Sequence, residues 1–184
     1  MHEKIEGTVL ADKMNDLSIE EIETVCYDIA KFMYQLHNLQ FNKDEIFKTS
    51  NIGLNLTDFL NELLDMHVST EDKIFWKYDE FKEKEQDVLV HGDLNSSNIL
   101  LDENNHISAI IDFGFGGFGN PYFDISRIIG RCPFNFKKSI IKDYEDLSNK
   151  KLDYPVLDEE IKIWNSIDNS YINYMKKIGI YKLN

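Results

Sequence analysis

Three residues define the chemistry this chain could perform: Asp93, Asn98 and Asp112. The first two lie in Val90-His91-Gly92-Asp93-Leu94-Asn95-Ser96-Ser97-Asn98-Ile99-Leu100, and the third in Ile110-Ile111-Asp112-Phe113-Gly114. An Asp, an Asn five residues later and a second Asp beyond a short hairpin is the order that phosphoryl transfer needs. The first carboxylate orients an acceptor hydroxyl and receives its proton, while the carboxamide and second carboxylate hold Mg²⁺ against nucleotide phosphates. Hard oxygen ligands suit Mg²⁺, which keeps several waters and takes only one or two protein carboxylates. Asp and Asn are also favoured in ordinary loops, where their side chains bond their own backbone. Here an apolar strand runs into His-Gly-Asp, and Asp112 directly follows a mostly apolar strand, where a carboxylate calls for a partner ion. The reading is therefore Asp93 as a base on a solvent-facing loop, with Asn98 and Asp112 as metal ligands. His91 reads as structural, its imidazole bonding backbone to hold the loop.

The elements that must position these residues are legible around them. Ser18 followed by Glu21 is a capping box, and Ile22, Val25, Cys26, Ile29, Met33 and Leu36 then recur at helical spacing to about His37. A polar loop is expected through Asn51, then helices over residues 56–66 and 70–83, the second carrying Trp76. Residues 88–90 read as a short strand. Residues 99–101 and 107–111 read as two strands joined by Asp102-Glu103-Asn104-Asn105, a turn of residues that tolerate left-handed backbone. Helices are expected over residues 123–129, 136–147 and 157–178, with Pro155 at the start of the last. The fold class that follows is α+β, mostly helical, as one domain over residues 1–184.

Composition narrows the partners. Apolar content of 42% and aromatic content of 12% argue for a packed globule. Cys26 and Cys132 are far apart, with no CxxC or Cys/His cluster, and read as reduced, buried thiols. No apolar run approaches the ~20 residues of a membrane span, and no signal sequence opens the chain, so a soluble cytoplasmic protein without membrane association is expected. A net charge of −13 speaks against nucleic acid and is compatible with a cationic substrate, as it is with plain solubility. Gly114-Phe115-Gly116-Gly117-Phe118-Gly119 formally satisfies G-x-G-x-x-G. A dinucleotide site would place an acidic residue ~20 positions on, where residues 134–138 read Phe-Asn-Phe-Lys-Lys. These glycines are read instead as a mobile segment following the metal-binding Asp. His37, His67 and His106 read as helix-end or turn residues, and Trp164, Tyr171 and Tyr174 as core.

The pattern HGDLNSSNIL…IIDFG…GNPYFDISRI resembles the aminoglycoside phosphotransferase family, atypical small-molecule kinases with relatives acting on choline, homoserine, methylthioribose and macrolides. Gly92 stands where protein kinases carry Arg. Residues 4–10 resemble the family's hinge segment, and Leu36-His37 the end of its first large helix. Asn120-Pro121-Tyr122-Phe123-Asp124 resembles its Gly-Asp-Pro-x-x-Asp segment, with Asn120 in place of the usual Asp.

The resemblance implies a protein-kinase-like C-terminal lobe in which a small β-hairpin carries the catalytic loop. That lobe would start at the hinge, without the N-terminal lobe that clamps the nucleotide. The implied activity, of the antibiotic-resistance type, moves the γ-phosphoryl group of ATP or GTP to a hydroxyl of an aminoglycoside-like substrate, with Mg²⁺ as cofactor. Lys4 and Ile5 would contact the nucleobase through their backbone, and Asp124 would brace the catalytic loop. Asp158, Glu159 and Glu160 would hold substrate ammonium groups, with Asp143, Glu145 and Asp146 as a second acidic cluster. Residues 158–160 have an equal explanation as charges complementing the start of the last helix. The alternatives are a kinase of another small metabolite and a non-catalytic remnant acting as a binding module. Self-association through an exposed apolar cleft floor is also expected.

Overall fold

The computed structural model describes residues 5–40 and 88–177. The polar loop expected through Asn51, the helices expected over residues 56–66 and 70–83, and Lys4, His67 and Trp76 lie outside the described residues.

Strand β1 (Thr8–Val9) leads into the short helix α1 (Leu10–Lys13) and then α2 (Ile19–His37). The capping box that starts α2 is complete. The Ser18 N–H donates to Glu21 Oε2 at 2.7 Å, and the Glu21 N–H to Ser18 Oγ at 3.3 Å. The Ser18 backbone N–H, ahead of its hydroxyl and Asn105, holds the Glu21 carboxyl below its ordinary value. The stripe of α2 buries Ile22, Val25, Cys26, Ile29, Met33 and Leu36, together with Ala30 and His37. Each fully buried aliphatic side chain contributes about 1.5–3 kcal/mol, so this face docks the helix firmly.

Strand β2 (Val88–Val90) runs into the 91–98 loop, which closes in a 3₁₀ turn over Ser96–Asn98. Strands β3 (Ile99–Leu101) and β4 (Ile107–Ile110) form the expected antiparallel hairpin, with Ile99 opposite Ile110 and a register irregularity at Leu100/Leu101. The turn is held by Asp102, whose Oδ1 accepts the N–H groups of Asn104 and His106, while Asn105 takes φ 61°. Asn105 then donates to Glu21 and accepts from Lys13, fastening the tip to α1 and α2. Strand β1 pairs along the other side of β3, giving the order β1-β3-β4.

The glycine-rich segment is not the free stretch expected. A 3₁₀ turn spans Phe113–Phe115, and β5 (Gly117–Gly119) pairs antiparallel with β2, Val90 opposite Gly117 and Val88 opposite Gly119. The unpaired edge of β2 needs a partner, and Gly117 and Gly119 let the strand pass close to the core there. A Cβ on Gly119 would sit 3.1 Å from the Phe123 ring. The antiparallel pairing also removes the dinucleotide reading, which requires a parallel unit.

Helices α3 (Tyr122–Arg131), α4 (Phe134–Ser148) and α5 (Tyr154–Lys177) complete the described chain. All three start one to three residues earlier than periodicity predicts. Asn120 Oδ1 accepts the Tyr122 N–H at 2.8 Å, Pro133 precedes an 81% exposed Phe134, and Asp153 receives the Val156 and Leu157 N–H groups. Helix α2 packs along α4, and α3 against α5. The class is mixed helix and strand, mostly helical, with small antiparallel sheets. No helix of the described residues is long and apolar enough to cross a membrane.

Candidate active site

Buried anchors fix the 91–98 loop at both ends. Val90, Leu94 and Ile99 are fully buried, so the chain dips into the core on each side of Asp93. Gly92 has φ +83°, and a Cβ there would lie 2.2 Å from the Phe115 carbonyl oxygen. A side chain at this position meets both a backbone clash and left-handed strain, which accounts for Gly between His91 and Asp93.

One carboxylate holds the loop from below. Asp124, fully buried in the first turn of α3, accepts the Gly92 N–H on Oδ1 at 2.9 Å and the His91 N–H on Oδ2 at 2.8 Å. His37 reaches the same Oδ2 with Nε2 at 3.2 Å and meets the Tyr144 hydroxyl with Nδ1 at 2.9 Å. A carboxylate this deep is costly unless its oxygens are bonded, and here the end of α2 and the loop supply the partners.

His91 works from above. Its Nδ1 accepts the Asp93 N–H at 3.3 Å, which places the ring proton on Nε2, and Nε2 donates to the Ile111 carbonyl at 3.0 Å. The ring lies 4.3 Å from that of Phe113. The Ile111 N–H donates in turn to the Asn98 carbonyl at 2.9 Å. Residue 111 is thus clamped by both ends of the loop, and the next residue, Asp112, emerges beside Asn98. Asp112 is exposed and takes φ 65°, a left-handed conformation that Asp and Asn tolerate.

Asp93 is held on several sides, which corrects the expectation of a simple solvent-facing base. Its side chain is 20% exposed, with Oδ1 accepting from Arg127 Nε at 2.8 Å. Asn98 Nδ2 donates to the Asp93 carbonyl at 3.0 Å and to Oδ2 at 3.3 Å, and Asn95 Nδ2 donates to the same carbonyl at 3.0 Å. Because its amide nitrogen is engaged, Asn98 retains Oδ1 as a spare acceptor. Among the described residues, neither that oxygen nor the Asp112 carboxylate receives a hydrogen bond. Two hard oxygens without donors fit Mg²⁺, with water and phosphate completing the shell. No group of three His, Cys, Asp or Glu side chains comes together among the described residues.

The expected acidic surface clusters are only partly present. Asp158 and Glu159 are exposed, but Glu160 is 1% exposed, because helical phase puts it on the inward face with Leu157 and Trp164. Glu145 is likewise buried, and it staples the turn between α4 and α5. Desolvation pushes its carboxyl up, yet Lys151, the Leu152 N–H and the Tyr154 hydroxyl together hold it below the ordinary value. Asp143 pairs with Lys142, and Asp146 is exposed beside the same lysine. Ile5 is 53% exposed just ahead of β1.

A sequence model of the phosphotransferase enzyme family matches residues 1–159. The chain belongs to this family. Among solved structures, it is similar to aminoglycoside 2'-phosphotransferase-IIIa in its GDP complex, at 18% identity and a TM-score of 0.66, over 91% of this chain and 60% of that one. The GDP and kanamycin complex of APH(2'')-IIIa aligns at 20% identity and TM-score 0.68, over 95% and 63% of the two chains. APH(3'')-Id from Streptomyces rimosus, in complex with ADP and streptomycin, aligns at 16% identity and TM-score 0.59, over 90% and 67%. At these identities the likeness shows the fold, and the chain spans about three-fifths of the length of the first two.

Within this chain, sequence reasoning passed over His37, Asn95 and Arg127 as members of the candidate site. Arg127 had a readable signal. It follows Asp124 by three residues, one helical turn, and is one of only two arginines in the chain. His37 had none, since its partners Asp124 and Tyr144 are remote in sequence.

Proposed function

We propose that this chain carries the base, the metal ligands and the acceptor-facing helices of a small-molecule kinase. It would transfer the γ-phosphoryl group of ATP or GTP to a hydroxyl of a cationic, aminoglycoside-like acceptor. On this reading the helical body and its small sheets form a single kinase-like C-terminal lobe. The observation that carries it is the linkage among Asp93, Asn98 and Asp112: the Asn98 amide bonded to Asp93, and Ile111 clamped so that Asp112 follows beside Asn98.

Arg127 occupies Asp93 Oδ1 at 2.8 Å, whereas Asn98 approaches Oδ2 at only 3.3 Å. Oδ2 is therefore the oxygen better placed to accept a proton. As the acceptor oxygen bonds to the γ-phosphorus, its O–H bond breaks and the proton passes to Asp93. The bond from the γ-phosphorus to the bridging oxygen breaks, releasing the nucleoside diphosphate. Mg²⁺, held by Asn98 Oδ1 and Asp112, would neutralise charge on the phosphate oxygens. Asp124 and His91 keep the loop in place, so the barrier falls chiefly through positioning. The backbone of Lys4 and Ile5 would take the nucleobase. Asp158 and Glu159 would hold acceptor ammonium groups. Neighbours bound to GDP, ADP, kanamycin and streptomycin support a nucleotide donor and an acceptor of this class.

The test offers ATP or GTP with kanamycin or choline and follows the mass of the acceptor. Phosphate should reach kanamycin when both kinase lobes are present, and Asp93→Asn should abolish the transfer. Undiminished transfer by that variant would remove the base assignment. Kanamycin binding should weaken steeply with salt if several ammonium groups are held by surface carboxylates. Salt-independent binding would move the acceptor to a neutral or singly charged metabolite.

A further inference from the structure

The whole chain holds only two arginines, Arg127 and Arg131, against eighteen lysines, and both converge on one carboxylate. Arg127 Nη1 lies 2.9 Å from each oxygen of Asp168, and Arg131 approaches Asp168 Oδ2 with Nε at 3.0 Å and also with Nη2. The Arg127 guanidinium sits over the Trp164 ring, 4.6 Å from its centroid, and its Nε donates to Asp93. Three contacts from three directions therefore fix one planar fork: Trp164 on its face, Asp168 on its tip and Asp93 on its Nε edge. Trp164 and Asp168 both belong to α5, and Asp93 to the catalytic loop. Lysine could not make this arrangement, because an ammonium has no plane and no second edge.

We infer that Asp168 is a positioning residue that acts on Asp93 through Arg127. With Asp168 holding Nη1, only Nε meets Asp93, and it takes one carboxylate oxygen. Without that hold, the guanidinium is free to turn and engage Asp93 with two N–H groups, the geometry that Arg prefers with a carboxylate. Both Asp93 oxygens would then be occupied, including the one that must receive the acceptor proton. Two arginines already neutralise Asp168, so it is not a free carboxylate for a cationic acceptor, unlike Asp158 and Glu159. The seating of α5 thereby sets the orientation of the base. This inference rests on the proposed role of Asp93, so its test has one arm that does not depend on activity.

That arm reads the arginine Nε–H signals of ¹⁵N-labelled protein by NMR. Two signals are expected, and Arg131→Lys assigns them. Asp93→Asn and the near-isosteric Asp168→Asn should each shift the Arg127 signal and speed its exchange with water. An Arg127 signal unchanged by Asp168→Asn would overturn the inference whether or not the protein transfers phosphate. If the wild type transfers no phosphate to any acceptor offered, the proposed function fails and the NMR arm alone decides the link between Asp168 and Asp93.

The second arm measures phosphoryl transfer. Asp168→Asn should lower kcat by about 10- to 100-fold, the range for a slightly misplaced catalytic group, with the KM for nucleotide unchanged. In an Arg127→Gln background, Asp168→Asn should lower kcat no further, since the two residues act as one unit. Independent, multiplying losses would refute the relay. A raised KM for kanamycin with kcat intact would make Asp168 a substrate ligand instead, and would overturn the inference equally.

Discussion

Replacing Asp124 should disable the catalytic loop and destabilise the fold by an amount the geometry allows to be worked out. The carboxylate is fully buried and accepts from three donors: the His91 and Gly92 N–H groups and His37 Nε2. Asp124→Asn keeps the shape but offers a single acceptor oxygen. Placed at the present Oδ2 position, that oxygen serves His91 and His37 and turns the new NH₂ toward the Gly92 N–H. One charge-assisted bond is lost and one buried donor is left facing another, at a cost of about 1–3 kcal/mol. Asp124→Ala strands all three donors, and about 3–5 kcal/mol is expected. For a chain of this size each kcal/mol moves Tm by about 2–4 °C. The Asn variant should therefore melt about 2–12 °C lower and the Ala variant about 6–20 °C lower. Thermal unfolding followed by circular dichroism gives the ranking, and amide hydrogen exchange at residues 91 and 92 locates the damage. If Asp124→Ala melts with the wild type, or if those two amides stay equally protected, the bracing argument is wrong.

Gly92→Ala should cost at least about 2 kcal/mol, because φ +83° strains any L residue and the new Cβ would meet the Phe115 carbonyl at 2.2 Å; an unchanged denaturation midpoint would contradict that close approach. Asp112→Asn should weaken binding of Mg²⁺-nucleotide in isothermal titration by about tenfold or more, since it removes a charge facing the cation. Asn120→Asp should leave that affinity alone, because only the Oδ1 that accepts the Tyr122 N–H is used, and Asp supplies it too; equal losses in both would mean the metal site is misplaced. Burial pushes both thiols, Cys26 and Cys132, up to about 12, so they should resist Ellman's reagent at pH 8 until the protein unfolds. Between about pH 9 and 12 the unfolded chain loses these protons while the folded chain keeps them, so their contribution is intact below pH 9 and declines as pH rises through that window. Rapid labelling of the native protein would show that one thiol is exposed.

Much of this architecture is readable because it depends on short separations along the chain. The Ser18–Glu21 cap and the buried stripe of α2 repeat at helical spacing, and the Asp102–Asn105 turn is held by bonds among near neighbours. The same holds for Asp93 and Asn98, five residues apart and bonded to each other, so a candidate base and a candidate metal ligand could be put forward before any coordinates. The order of Asp93, Asn98 and Asp112 with their flanking strands likewise identifies the family, since those motifs are contiguous in sequence.

Long-range contacts decided the rest. Nothing local shows that Gly117–Gly119 will pair with Val88–Val90, because a strand's partner is chosen by which open edge lies nearby after collapse. Asp158, Glu159 and Glu160 look alike in sequence, yet one of them faces the core, because the face of α5 that meets α3 was set by Leu157 and Trp164. The His37–Asp124 bond spans 87 positions, Arg127–Asp93 spans 34 and Arg127–Asp168 spans 41. Charged side chains carry no periodic signature of their partners. Whether a given carboxylate binds solvent, an arginine or a backbone amide depends on what packing brings within about 3 Å of it, and only the folded chain specifies that.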